Sequence, residues 1–148
     1  MSFLALEPLL KDRLSAALNP IDAPSVTHIL SAADLASVDG THPVPAVIVL
    51  FDSHSVAENV NSGKHARITQ SWLAIVAVRS VTNIKTGQNA RALAGEIADT
   101  VLTNLMGWMP PGCTKPLHLA NAPKADYVNG FLYLPIAFEA EIVRKAAA

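Results

Sequence analysis

The residues best suited to chemistry in this 148-residue chain stand in two places. Asp52-Ser53-His54 precedes a turn-rich stretch and His65 follows it. A hairpin with its strands in register would gather an aspartate and two histidines, and imidazole and carboxylate are ordinary zinc ligands. A small metal-dependent enzyme could be built on Asp52, His54 and His65. The plainer reading makes them solvated polar residues where a strand leaves the core. Cys113 and His118 form a second pairing, nucleophile and base. A catalytic thiol, however, needs a lowered pKa and an orienting partner, and the neighbouring sequence signals neither. A small apolar or loop cysteine is the simpler reading of Cys113. The chain carries no Gly-rich phosphate loop, nucleophile elbow or zinc-binding helix motif. Gly87, Gly95 and Gly107 are isolated, and Gly95, inside a helical pattern, is read as allowing close packing. No catalytic residue, cofactor or metal is therefore expected.

The elements that would position these groups follow from hydrophobic period. In His65–Val81 the residues Ile68, Trp72, Ala74, Val76 and Val78 share one face of a strand, because successive side chains alternate sides. Leu73, Ile75 and Ala77 make the other face apolar too, so the strand begins exposed and runs into a covered interior. Asn89–Leu105 then changes to helical spacing through Ala90, Leu93, Ala94, Ile97, Ala98, Val101, Leu102 and Leu105. Thr86-Gly87 marks its entrance, and Gly107 with Pro110-Pro111-Gly112 its end.

Earlier in the chain, Phe3–Leu18 spaces Leu6, Leu9, Leu10, Leu14, Ala17 and Leu18 as an amphipathic helix, with Ser2 as N-cap. Val26–Leu30 is a short apolar, β-branched run. The sequence SAADLA suits a helical turn before the turn-rich Asp39–Pro43. Ala46–Phe51 reads as a buried strand continuing towards Val56, and Asn59–Lys64 as the hairpin connection into the central strand. Near the C-terminal end, Leu117–Leu119 suits a short strand and Pro123–Tyr127 a loop. Val128–Lys145 alternates, with Leu132, Leu134, Ile136, Phe138, Ala140 and Ile142 on one face. Pro135 has no N–H for a ladder, which puts that strand at an edge or gives it a bulge. The fold class is thus α/β of the α+β kind. One domain over residues 1–148 holds an antiparallel or mixed four-stranded sheet, helices mainly on one face, in the order α-β-β-β-α-β.

Composition narrows function. Apolar residues make up 51% and charged residues 16%, so part of the apolar surface is expected to meet another chain. Leu73, Ile75 and Ala77 in particular call for a cover that a chain this short struggles to supply. A formal net charge of −1 with no polybasic block argues against sequence-independent nucleic-acid binding. One cysteine excludes an internal disulfide and a multi-cysteine metal site, and fits a reducing compartment. The N-terminal MSFLALEPLLKDRL lacks the basic n-region of a signal peptide, and no apolar run reaches membrane-spanning length.

With that order laid out, the chain resembles the tail terminator, or tail completion, proteins of long-tailed bacteriophages, particularly the Mu-like form. The likeness rests on the helix Phe3–Leu18, the pair AVIVLF and ITQSWLAIVAV, the helix ARALAGEIADTVLTNLMGW and the closing strand FLYLPIAFEAEIV. These are patterns of length and hydrophobicity with no invariant signature. The resemblance implies a non-enzymatic virion part of the tail–neck region, assembled in the host cytoplasm. It implies a homo-oligomer, a hexameric ring seated on the last ring of tail tube protein. Such a ring stops polymerisation and receives the head-completion or neck protein. DNA would pass its lumen without sequence-specific binding, and no membrane is involved. Another neck protein or a head–tail connector is the nearest alternative.

Contact surfaces are read from expected exposure. The hairpin Asp52–His65, with Asp52, His54, Glu58, Asn59 and His65, is polar enough to project from the sheet and dock on the tube or a neighbouring subunit. Arg67 flanks it. Glu139, Glu141 and Arg144 on the last strand are candidates for the side facing a neighbour or the lumen. Trp108, in Trp108-Met109-Pro110-Pro111, stands open between an exposed contact and a cap on the core.

Overall fold

The computed structural model describes residues 2–23, 26–31, 43–79, 84–128 and 130–147, with the backbone alone over 84–90. In chain order the elements are α1 (Leu6–Leu18), β1 (His28–Ser31), β2 (Ala46–Val60), β3 (His65–Arg79), α2 (Ile84–Leu105), β4 (His118–Ala120), β5 (Asp126–Val128) and β6 (Phe131–Lys145). The sheet runs β1-β2-β3-β6, and both β4 and β5 lie against the outer side of β6. β1 pairs parallel to β2, and every other pairing is antiparallel, so the sheet is mixed. Its four principal strands keep the expected order; of the two three-residue strands after α2, β4 falls where the sequence suits a short strand, around Leu117–Leu119, and β5 is an addition.

Three fifteen-residue strands, β2, β3 and β6, form the frame. β3 lies between the other two and is in register with β6 along its whole length, from His65 opposite Lys145 to Arg79 opposite Phe131. One sheet face carries both helices. Leu6, Leu10 and Leu14 of α1 and Ala94, Ile97, Ala98, Val101 and Leu105 of α2 bury against Val47, Val49, Trp72, Ala74, Val76, Val78, Phe138 and Ile142. The two alternating strand faces and the helical stripe thus meet as their periods predict. On the opposite face, Ala77 is fully buried with Ala46 and Ile48, while Leu30, Leu50 and Ile75 are partly buried around them. The chain therefore covers Ala77 without a neighbour, contrary to expectation, and leaves Leu73 and Ile75 half-buried.

Local chemistry explains the joints. α1 starts at Leu6, one turn later than expected, and the Leu4 amide donates to the Ser2 hydroxyl at 3.3 Å in the turn that leads into it. At its end the Asn19 side chain donates to the Thr27 carbonyl at 2.7 Å and accepts from the Thr27 amide at 2.6 Å. This two-bond clasp sets the chain into β1. α2 begins before the expected entrance, so Thr86-Gly87 lies within it. It ends as predicted, because Gly107 takes a φ of +74°, a left-handed conformation that only glycine adopts freely. Gly95 is exposed, and a Cβ there would meet nothing within 4 Å. It makes no close packing, and that expectation is corrected.

Near the C-terminal end, the loop expected over Pro123–Tyr127 gives way at Asp126 to β5, which folds back on Phe131–Tyr133 beside Gly130 at φ +81°. Pro135 lies opposite Ile75 of β3, and on the outer side of β6 it sits between the stretch paired by β5 and that paired by β4, a local edge where no described strand lies. The SAADLA turn, Asp39–His42, and the end of the central strand at Ser80–Val81 fall outside the described residues.

Candidate assembly surface

Beyond the reach of the helices, β2, β3 and β6 continue as a three-stranded ribbon. Every residue of β2 from Asp52 to Val60 is exposed. Two bulges, at Asp52 and Ala57, interrupt its pairing with β3. Such insertions bend a strand and re-aim its side chains. At the tip, Asn61, Ser62 and Gly63 all have positive φ, and the Lys64 amide closes the turn on the Asn61 carbonyl at 3.1 Å. The Ala146 amide then donates to the Lys64 carbonyl, which ties the end of β6 to the same tip.

The ribbon separates the residues proposed as a metal site. His54 lies opposite Gln70, five residues along β3 from His65. At about 3.3 Å per residue that is roughly 16 Å, and the odd spacing puts the two on opposite faces. His54 joins an aromatic group instead, its ring centroid 5.3 Å from Phe3 and 6.3 Å from Phe51. Asp52 occupies the bulge. Among the described residues no three His, Cys, Asp or Glu side chains come together to hold a metal ion. The metal-dependent alternative thus fails on strand geometry.

The thiol reading fails on environment. Cys113 is buried in the main core, and burial pushes its pKa up, away from the thiolate a nucleophile requires. His118 Nδ1 lies 2.8 Å from the Pro116 carbonyl. A small apolar gap under α1 is walled by Leu6, Leu10, Leu14, Trp72, Leu105 and Phe138, all core residues.

A charged network gathers on the ribbon's other face. Arg67 Nη2 is 2.9 Å from Glu58 Oε2, and Arg67 Nε is 3.8 Å from Glu141 Oε2. Lys115 Nζ approaches the same Glu141 oxygen at 3.3 Å, while the Thr114 hydroxyl donates to Glu141 Oε1 at 2.8 Å. Partial burial alone would raise the Glu141 pKa. Hydrogen bonds from Thr114 and Lys115, with the charges of Lys115 and Arg67, outweigh it and lower the value. Glu58, Arg67 and Glu141, separate in sequence, are thus brought together. Glu141 is largely covered, in contrast to the solvent charge expected, whereas Glu139 stays exposed across from His118. Lys115 and Thr114 had no signal in the sequence, since they reach β6 only because the Thr114 amide also binds the Glu141 carbonyl.

Trp108 packs on the edge of the core and keeps part of its surface open. The Arg13 guanidinium lies 4.5 Å from its ring centroid. Arg13 Nε also donates to the Asn104 carbonyl at 2.6 Å. Asn59 is exposed near the tip, while Arg144 is partly covered at the end of β6, with Nη1 donating to the Val143 carbonyl at 3.1 Å.

A helix-backed mixed sheet continued by a long polar ribbon is the architecture that these residues build. The comparison with protein families gives that architecture its identity: the chain matches the description "Phage tail terminator protein" across residues 1–148, and it belongs to that family. It is a structural component of the phage virion tail. No curated protein matches the chain. None of the helices is long and apolar enough among the described residues to cross a membrane.

Proposed function

We propose that the protein closes the head-proximal end of the tail tube as a hexameric ring, stops tail polymerisation there, and presents a surface to the head-completion or neck protein. Family membership along the whole chain supports the tail role, and the observation that carries the contact reading is the ribbon. Nine consecutive exposed residues, Asp52–Val60, stand on a three-stranded support, touched from the rest of the described chain chiefly by Phe3 at His54 and by Arg67 at Glu58. Asp52, His54, Glu58, Asn59 and His65 dock on the tube or on a neighbouring subunit, with Arg67 holding Glu58 in place. Glu139 faces a neighbour or the lumen, and Arg144 lies at the ribbon's end. Glu141 acts inside the subunit, joining the loop after α2 to β6. A closed ring also brings together two different patches of each subunit, as head-to-tail contacts do when the rotation closes. DNA passes through the ring without base recognition, in keeping with a formal net charge of −1.

The test is tail morphology. Phage lacking this gene should produce tails of abnormal length that fail to join heads, and adding purified protein to freshly assembled tails should restore joining. Image averages of such tails should show a sixfold cap. Tails of normal length that join heads without the protein would overturn the reading, and protein found only on heads would favour a connector.

A further inference from the structure

The ribbon has two open edges. β1 pairs with β2 only over Ala46–Val49, so among the described residues nothing pairs with the outer side of β2 from Leu50 to Val60. On the far side, β4 pairs with β6 only to Glu139, and beyond it, among the described residues, Thr114 and Lys115 meet the strand at Glu141 while no strand pairs with the outer side of Ile142–Lys145. Unpaired edges template association unless something blunts or covers them. The bulges at Asp52 and Ala57 blunt β2 in part, but leave Ser53–Val56 regularly paired with β3 between them. Both edges also expose valines: Val56 and Val60 on β2, Val143 on β6.

We infer that these two edges are halves of one contact, in which the distal part of β2 in one copy pairs with the end of β6 in the next. The inference rests on the ring reading and specifies how the ring is joined. The occupant is a second copy because a single chain supplies both partners. β2 and β6 are each antiparallel to β3 and so run in the same direction, ending at the same tip. Rotation about an axis roughly along the ribbon therefore sets one beside the other as a parallel pair. Repeating it closes the sheet, which removes every open edge. Charge agrees with this assignment. The β2 edge carries Asp52 and Glu58 and no cation, whereas β6 ends in Arg144 and Lys145. The bulges confine the pairing to a short register and so keep the contact from extending indefinitely.

Disulfide trapping tests the contact because the intervening strand prevents a bond within one chain. Asn59 and Arg144 both lie opposite Ala66, and Val60 and Lys145 both lie opposite His65. Each pair is therefore two strand spacings apart, about 9.6 Å, beyond the roughly 7 Å limit for a disulfide. Full-length Asn59→Cys/Arg144→Cys, Val60→Cys/Lys145→Cys and Ala57→Cys/Arg144→Cys, the last covering a staggered register, are oxidised gently on tails. Cys113 is buried and does not compete. At least one pair should give a covalent ladder up to the full ring, while each single substitution stops at a dimer or below. A charge exchange gives a second reading. Glu58→Lys should raise the concentration needed for assembly about tenfold or more, equivalent to about 1.4 kcal/mol, and Arg144→Glu added to it should reverse most of the change. Intact rings with no ladder from any pair and no effect of the exchange would overturn the edge contact and leave the ring reading standing. If the unmodified protein forms no oligomer in solution or on tails, both fall.

Discussion

Trp72 donates its indole N–H to Gln70 Oε1 across 3.1 Å, inside a core where both side chains are fully buried. Gln70 in turn donates Nε2 to the Phe3 carbonyl at 2.7 Å, 67 residues away in sequence. A buried amide is tolerated only when its polar atoms are satisfied, and here one glutamine serves an indole from its own strand and the backbone ahead of α1. The arrangement fixes the N-terminal turn against the root of the ribbon, where Phe3 also meets Phe51 and His54.

Gln70→Leu keeps the volume but leaves the indole N–H without an acceptor. The expected loss is about 2 kcal/mol, within the usual range for a buried unpaired donor. It should appear as a lower urea midpoint with an unchanged slope. An unchanged midpoint would show that the chain relaxes around the site.

The Glu141 carboxylate gives stability a pH dependence of known sign. Its folded pKa lies below the ordinary 4.5. The stabilisation is therefore present above the unfolded value and is lost as pH falls from there through the lowered folded value. Glu141→Gln should cost on the order of 1 kcal/mol at neutral pH, the upper range for a partly exposed ion pair. It should also flatten the acid limb of the stability curve, and the wild-type advantage should shrink in high salt. Parallel acid limbs in the two proteins would place the pH dependence elsewhere.

These two networks also mark how far the sequence could be read. β3 and β6 were legible because their alternation has a single period over ten or more residues, and α2 because its stripe holds from Ala94 to Leu105. The hairpin tip was legible through Asn61, Ser62 and Gly63. The Asn129-Gly130 dipeptide, between β5 and β6 in sequence, is itself a hairpin signal, but the three residues of β5 are too few to show a period. What no local pattern carries is contact at long separation. The metal reading failed because the turn at Asn61–Lys64 sets Val60, not His54, opposite His65; the bulge at Ala57 shifts the partner of His54 by one residue, and a bulge leaves no mark in hydrophobic period. The Thr114 and Lys115 contacts to Glu141 depend on where the loop after α2 lands, and β1 pairs parallel to β2 through a crossover that its four residues do not announce.

Gly95 and Gly107 should respond oppositely to alanine. Gly95 is exposed within the helix and has open space at its Cβ position. Gly95→Ala should stabilise by about 0.5–1 kcal/mol, since alanine loses less backbone entropy in a helix. Gly107, at φ +74°, ends that helix. Gly107→Ala should destabilise by about 1 kcal/mol, because a Cβ disfavours the left-handed conformation. Thermal unfolding of the two single variants checks the signs, and a shift of both in one direction would contradict the helix boundary.

Arg13 joins the two helices through Trp108, and a double-mutant cycle can separate its two contacts. The guanidinium lies 4.5 Å from the ring centroid and Nε donates to the Asn104 carbonyl, so one side chain of α1 grips both the last turn of α2 and Trp108 beyond it. Arg13→Lys keeps the charge but loses the flat stacking surface and the fixed fork of donors. Trp108→Leu keeps apolar cover on the core and removes the π-face. If stacking contributes as such pairs do at partly exposed sites, the coupling between the two substitutions should be about 0.5–1 kcal/mol. The Asn104 hydrogen bond should appear as a cost of Arg13→Lys that persists in the Trp108→Leu background. Both are measured by denaturant unfolding of the four proteins. Strict additivity would mean that Trp108 covers the core edge by packing alone, and that α1 is held to α2 by the hydrogen bond and the leucine contacts beneath it.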